Sequence, residues 1–241
     1  MKKIIPLFAL FCFSLLLSNC NHSSHTQAFY LNVNFMGIRQ GQHIKFYETK
    51  DEKKWAYSVN KDFNSSDPVD DAFYFSGSFI GVRQDRRVKF FFTSKKGDWK
   101  YSPGKDFVSP NDVDGIFAYN GNSVGVRQGR TIKFYQTSKE GKWSASNIKD
   151  FNSTYDMDGA FFVSGNFIGI RAGKTTKFYF IDQNGNWSYR EGLDLVSPDE
   201  IEDEFYLNTG SMGILQNQTI KFYEVNKQKA WVHKDGIDFK F

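Results

Sequence analysis

All five tryptophans of this 241-residue chain stand 44 residues apart, at Trp55, Trp99, Trp143, Trp187 and Trp231. The same step carries Gly37 to Gly81, Gly125, Gly169 and Gly213. It also carries Lys45 through Lys89, Lys133 and Lys177 to Lys221, and Phe46 through Phe90, Phe134 and Phe178 to Phe222. Five copies with no insertion between these landmarks describe a repeat protein, in which one small unit buries its apolar face only by stacking on the next.

The unit reads as strands. Within the third copy, runs rich in aromatic and β-branched residues (IFAY at 116–119, SVGVRQ at 123–128, TIKFYQT at 131–137, KWSAS at 142–146) alternate with turn clusters such as Asn120-Gly121 and Glu140-Gly141. No run keeps apolar residues at helical spacing over three turns. Four short antiparallel strands repeated five times predict an all-β fold, a five-bladed β-propeller. The copies run over about 29–70, 71–114, 115–158, 159–203 and 204–241. An aromatic share of 18%, with 26 Phe, suits blades covered on both faces, whose strands need not alternate strictly.

Residues 1–19 read as a targeting segment, with Lys2 and Lys3 ahead of an apolar stretch from Ile4 to Leu17 too short for a convincing membrane span. Its end, Leu17-Ser18-Asn19-Cys20, resembles the lipobox of bacterial lipoproteins, which implies that Cys20 is lipidated and becomes the mature N-terminus. The alternative is plain secretion. Residues 20–28 would then be the lipidated Cys and a polar tether. The resemblance implies a place at the bacterial cell envelope, on the outer membrane or cell surface, with the membrane as a partner through the lipid. The only other cysteine, Cys12, falls in the leader, so the folded part carries neither disulfide nor thiol chemistry. The formal net charge is +4, half of it from Lys2 and Lys3, and gives no basic excess for nucleic acid.

Three recurring sets could carry chemistry. A tryptophan per copy could stack on sugar, but one kept in all five copies fits a seal at every blade junction better. Arg39, Arg83, Arg127 and Arg171 share one register, filled by Leu215 in the fifth copy; Gln40, Gln84 and Gln128 follow them, with Ala172 in the fourth copy and Gln216 in the fifth. A guanidinium fork suits carboxylates, phosphates and sugar hydroxyls. The other possibility is an internal staple to Asp62, Asp106, Asp150 and Asp194, which recur at the same step. A staple should be needed in every blade, so Leu215 tilts the arginines and Gln40, Gln84 and Gln128 toward ligand binding. The acids at copy junctions, such as Asp70, Asp114, Asp158 and Glu202, lack the dense spacing of a calcium loop and read as turn caps.

Nothing here resembles a catalytic set. An enzyme needs groups with different roles around one centre, whereas this chain repeats the same residues, and no His/Cys metal spacing or nucleophile motif appears. No cofactor is implied. Repeated weak sites gain strength by avidity. With strands of the form GVRQ then IKFY and a Trp closing each copy, the chain resembles the tachylectin-2-like five-bladed lectins, which implies sugar binding between blades. Val113-Asp114-Gly115-Ile116-Phe117 and Met157-Asp158-Gly159-Ala160-Phe161 also resemble the strand starts of hemopexin-like repeats. Those propellers usually have four blades and bind proteins, haem or a channel cation. The expectation is therefore a lipid-anchored, multivalent carbohydrate-binding propeller for glycans or glycoconjugates. The alternative is a propeller binding host or envelope proteins.

Overall fold

The computed structural model describes residues 25–32, 35–50, 54–94, 97–208 and 210–241. The leader and Cys20 lie outside these residues.

Each repeat folds into one antiparallel blade. In blade 1 the innermost strand is Gln27–Asn32, followed outward by Phe35–Gln40 and His43–Thr49; the outer strand is broken into Trp55–Tyr57 and Phe63–Asn64, both paired with His43–Thr49. The innermost strands of blades 2 to 5 are Asp71–Ser76, Gly115–Asn120, Gly159–Ser164 and Asp203–Asn208. They pack side by side around one axis, each against its two neighbours. The two-residue piece that completes each outer strand is too short to leave a mark in a sequence pattern.

The repeated glycine has a steric cause. On the second strand of every blade it lies under a phenylalanine of the innermost strand: Gly37 under Phe29, Gly81 under Phe73, Gly125 under Phe117, Gly169 under Phe161 and Gly213 under Phe205. A Cβ at any of the five would overlap that ring, which is itself almost wholly buried. The junction acids are caps. The turn between second and third strands places Gly41, Asp85, Gly129, Gly173 or Asn217 in the left-handed region, where glycine, aspartate and asparagine are tolerated. A carboxylate accepts the turn's N–H at 2.6 Å in four copies: Asp70 from Asp85, Asp114 from Gly129, Asp158 from Gly173 and Glu202 from Asn217.

The core is distributed over the joints between blades. Each tryptophan stacks on the repeated phenylalanine of the preceding blade: Trp99 on Phe46, Trp143 on Phe90, Trp187 on Phe134 and Trp231 on Phe178 at 5.1 to 5.7 Å, and Trp55 on Phe222 at 6.2 Å. Four of the indoles also donate Nε1–H to a backbone carbonyl of that preceding blade, to Lys61, Lys105, Lys149 and Leu193 at 2.7 to 2.8 Å. An aromatic pair adds about 0.5–1.5 kcal/mol beyond area burial. The tryptophans therefore seal joints.

Among the described residues no blade mixes strands from the two ends of the chain. Phe239–Lys240 pairs with Thr219–Val225 inside blade 5, and the ring closes because blade 5 packs on blade 1 through Phe205, Leu215, Phe222, Ala28, Met36 and Ile38.

Candidate functional site: the axial channel and the blade clefts

Repetition around an axis brings equivalent residues to one place. The four arginines converge on a single cavity of 570 Å³ at the end of the channel where the innermost strands begin. They do not form four separate sites. Arg39, Arg83 and Arg171 are less than a tenth exposed.

Each arginine spans a joint. Nη1 donates to a carbonyl 30 residues on, at the start of the next blade: Arg39 to Val69 at 2.8 Å, Arg83 to Val113 at 3.1 Å, Arg127 to Met157 at 2.7 Å, and Arg171 to Ile201. The remaining donors differ by copy. Arg39 Nε donates to Gln27 Oε1 at 3.2 Å, and Arg83 Nε to Asp71 Oδ2 at 2.6 Å. Arg127 and Arg171 turn Nη2 to the carbonyls of Asp114 and Asp158. Burial lowers the pKa of Arg39 and Arg127, opposed by nearby carboxylates, chiefly Asp71 and Asp203 for Arg39 and Asp114 and Asp71 for Arg127.

The expected staple to Asp62, Asp106, Asp150 and Asp194 is not the pairing that forms. These aspartates lie in the break of the outer strand. Asp62, Asp106 and Asp194 accept the hydroxyls of Tyr57, Tyr101 and Tyr189 at 2.6 to 2.7 Å. The phenols are held in their protonated form by that bond, with Tyr189 pushed up to about 12. A tyrosine five residues before the aspartate in copies 1, 2 and 4 was the sequence signal for this contact. At the seam Leu215 stands in the arginine register and packs on Met36 and Ile38 of blade 1.

The glutamines span joints too, where a partner exists. Gln84 and Gln128 reach Ser65 and Ser109 Oγ at 3.4 Å, and Gln128 also donates to the Asp112 carbonyl at 2.9 Å. Gln216 donates to Ser197 Oγ at 2.7 Å and to the carbonyls of Asp199 and Glu200. Gln40, on the closing joint, is exposed.

Three acids in this region are raised by burial, the first being Asp71, whose shift Arg83 opposes. Asp203 is pushed up to about 6, although Arg171 and the N–H of Ala28 oppose the shift. Glu204 is pushed up to about 7 by burial, opposed by Arg171 and by the Thr176 hydroxyl that bonds it. At the other four joints this pair is apolar, for example Ile44 with Ala72 and Ile132 with Ala160.

The opposite end of the channel is a cavity of 680 Å³ lined along all five innermost strands, with Tyr30, Tyr74, Phe162 and Tyr206 among its walls. A third cavity, 270 Å³, opens between blades 2 and 3 over Phe75, Phe79 and Trp143, with Asn122, Ser138 and Lys105 around them. Lys105 Nζ lies 4.5 Å from the centre of the Phe79 ring, and at the preceding joint Lys61 Nζ lies 4.0 Å from that of Phe35. Sequence reasoning passed over this cleft, because Phe79 recurs only as Phe35 and Phe167 and gives way to Ser123 and Ser211. Among the described residues no group of three or more His, Cys, Asp or Glu is placed to hold a metal.

No family model matches the chain, and no curated protein does. Among solved structures it is similar to a protein from Lactobacillus plantarum (10% identity, 84% of this chain and 67% of that one, TM-score 0.49). It is also similar to a functionally unknown protein from Desulfotomaculum acetoxidans DSM 771 (11% identity, 90% and 70%, TM-score 0.49) and to Hsv2 from Kluyvelomyces marxianus (14% identity, 90% and 85%, TM-score 0.46). Neither the tachylectin-2-like nor the hemopexin-like resemblance is among these findings.

Proposed function

We propose that this propeller is a non-enzymatic carbohydrate-binding module, exported and held at a membrane through lipid on Cys20, that takes sugar in aromatic-floored clefts between blades. The observation that carries this reading is the cleft between blades 2 and 3. Phe75 and Phe79 floor the cleft, with the Lys105 ammonium over the Phe79 ring, while Asn122 and Ser138 offer an amide and a hydroxyl. That combination suits a pyranose, whose C–H face is apolar and whose rim is hydroxyl. The pair Lys61 and Phe35 repeats the Lys105 and Phe79 contact at the neighbouring joint, and sugar bound there as well would make the module multivalent. The seven Arg and Gln residues first expected to hold the ligand play no part in this site.

A glycan array tests it, run on the wild type beside Phe79→Ser. Serine occupies this register in Ser123 and Ser211, so the variant keeps its fold. Selective binding that weakens by tenfold or more in Phe79→Ser supports the reading. Absence of glycan binding overturns it and turns the search to host or envelope proteins, for which the aromatic channel mouth around Tyr30, Tyr74 and Tyr206 is the surface to mutate. Labelling cells with a radioactive fatty acid tests the anchor: label in the wild type and none in Cys20→Ser is the expected result.

A further inference from the structure

The charged end of the channel is asymmetric in a way that the repeat does not require. Opposite the arginine register the five innermost strands carry Gln27, Asp71, Gly115, Gly159 and Asp203. Arg83 has Asp71 as its own carboxylate, and Arg39 has the Gln27 amide. Arg127 and Arg171 face glycine, and their guanidinium groups occupy the space a side chain would fill. A Cβ at Gly115 would lie 3.3 Å from Arg127 Nε, and one at Gly159 2.8 Å from Arg171 Nε. Both cations bond only backbone carbonyls among the described residues, with no carboxylate in contact.

Asp203 has the complementary defect. It faces Leu215 instead of an arginine, so its own blade supplies no cation; it accepts the Ala28 N–H at 2.8 Å. Blades 3, 4 and 5 are consecutive around the axis. The cavity therefore sets two guanidinium groups without a contacting carboxylate beside one carboxylate without a contacting cation. The other acids on its wall, Asp114, Asp158 and Glu202, cap turns, and Asp70 and Asp71 contact Arg83.

We propose that this mouth binds a small zwitterion of the amino-acid or short-peptide class, with its carboxylate on Arg127 and Arg171 over Gly115 and Gly159 and its ammonium on Asp203. A plain anion placed there would meet Asp203 and Asp71, and a plain cation would meet the guanidinium groups. Only a ligand with both charges gains at both ends. A guanidinium fork is well matched to a carboxylate, and the half-buried setting strengthens each pairing relative to water. The cavity is open to solvent and larger than a single amino acid, which leaves room for a dipeptide. This inference stands independently of the sugar clefts.

The experiment is isothermal titration of the full chain with the free L-amino acids and with a set of dipeptides. Each ligand that binds is then tried as its N-acetyl and its C-terminal amide derivative. Binding of at least one zwitterion, weakened tenfold or more by either blocking group, is the expected result, and the stronger of the two arms tells free amino acid from peptide. Asp203→Asn is the companion variant: its amide oxygen still accepts the Ala28 N–H, as Gln27 accepts in blade 1, so the fold persists while affinity drops at least tenfold. If the N-acetyl form binds as well as the free one, the site is a plain anion site and the proposal falls. Equal binding of the amide, undiminished binding by Asp203→Asn, or no binding by any member of either panel overturns it as well.

Discussion

The seam between blades 5 and 1 and the four joints inside the ring share their apolar surfaces but differ in their polar contacts, of which the seam keeps the Ala28 N–H on Asp203. At the seam Trp55 stacks on Phe222, Tyr47 meets Phe239 edge-on at 4.8 Å, and Leu215 packs with Met36 and Ile38. Yet Trp55 Nε1 is buried with no partner, the arginine is replaced by Leu215, and Gln40 is exposed. The residues at the seam explain part of this. The serine register that receives the glutamines, Ser65, Ser109 and Ser197, is filled by Phe241, which offers no hydroxyl to Gln40. The carbonyl position that receives the arginines, two residues before each innermost strand, is His25 at the seam, and it is the donor that Leu215 removes.

Copying the seam into an internal joint is the severest test. Arg127→Leu places at joint 3/4 the residue blade 5 already uses, but leaves the Met157 and Asp114 carbonyls without their donor. The Asp114 carbonyl is exposed and can turn to water, so the loss should be about 1–3 kcal/mol, from the part-buried Met157 carbonyl, by urea denaturation. A neutral result would mean that the locks are spectators.

The joint between blades 4 and 5 offers a pH-dependent variation. Glu204 has a folded pKa of about 7, raised above its ordinary value. The folded state therefore binds a proton that the unfolded chain releases. Its contribution to stability is fully present below about pH 4.5 and is lost as pH rises through about 7, a penalty of about 3 kcal/mol at alkaline pH. Glu204→Gln should be more stable than wild type at pH 8 and equal to it near pH 4, read as melting temperature across that range. If the two profiles run parallel, Glu204 is not the titrating group.

Smaller effects discriminate the two kinds of joint directly. Trp143→Phe loses the bond to the Lys105 carbonyl and should cost about 1–3 kcal/mol more than Trp55→Phe, which has no such bond to lose. Gln216→Ala should cost about 1–2 kcal/mol and Gln40→Ala almost nothing. With the Ala28–Asp203 bond but no arginine, glutamine or indole bond, the seam should also open first. Amide hydrogens of Gln27–Asn32 and Asp203–Asn208 are expected to exchange faster than those of Gly115–Asn120 and Gly159–Ser164.

Much of this architecture was legible in the sequence, and what was not has a common cause. The tryptophan step announced the joints, and the glycine step marked a close approach whose partner, the innermost phenylalanine, recurs with it. The partners of the arginines were not legible because their acceptors are backbone carbonyls, which carry no residue identity, so the nearest recurring acids were the wrong partners. Leu215 broke the pattern at the seam, where it packs on Met36 and Ile38. The one departure that sequence comparison between copies could have resolved is Thr176 with Glu204. Both abandon apolar registers, Thr176 beside Ile44, Val88, Ile132 and Ile220, and Glu204 beside Ala28, Ala72, Ile116 and Ala160; two such changes in contact read as a compensated pair.

Because every blade is cut from one uninterrupted stretch of chain, a blade is also a unit of inheritance. An in-frame duplication or deletion of one repeat adds or removes a whole sheet together with both of its packing faces and one linker, and it strands no orphan strand in a neighbour. The near-identical spacing of the five copies is what such copying leaves behind. The seam, where no linker has to match, is the point at which a genome could change the number of blades with the least repair.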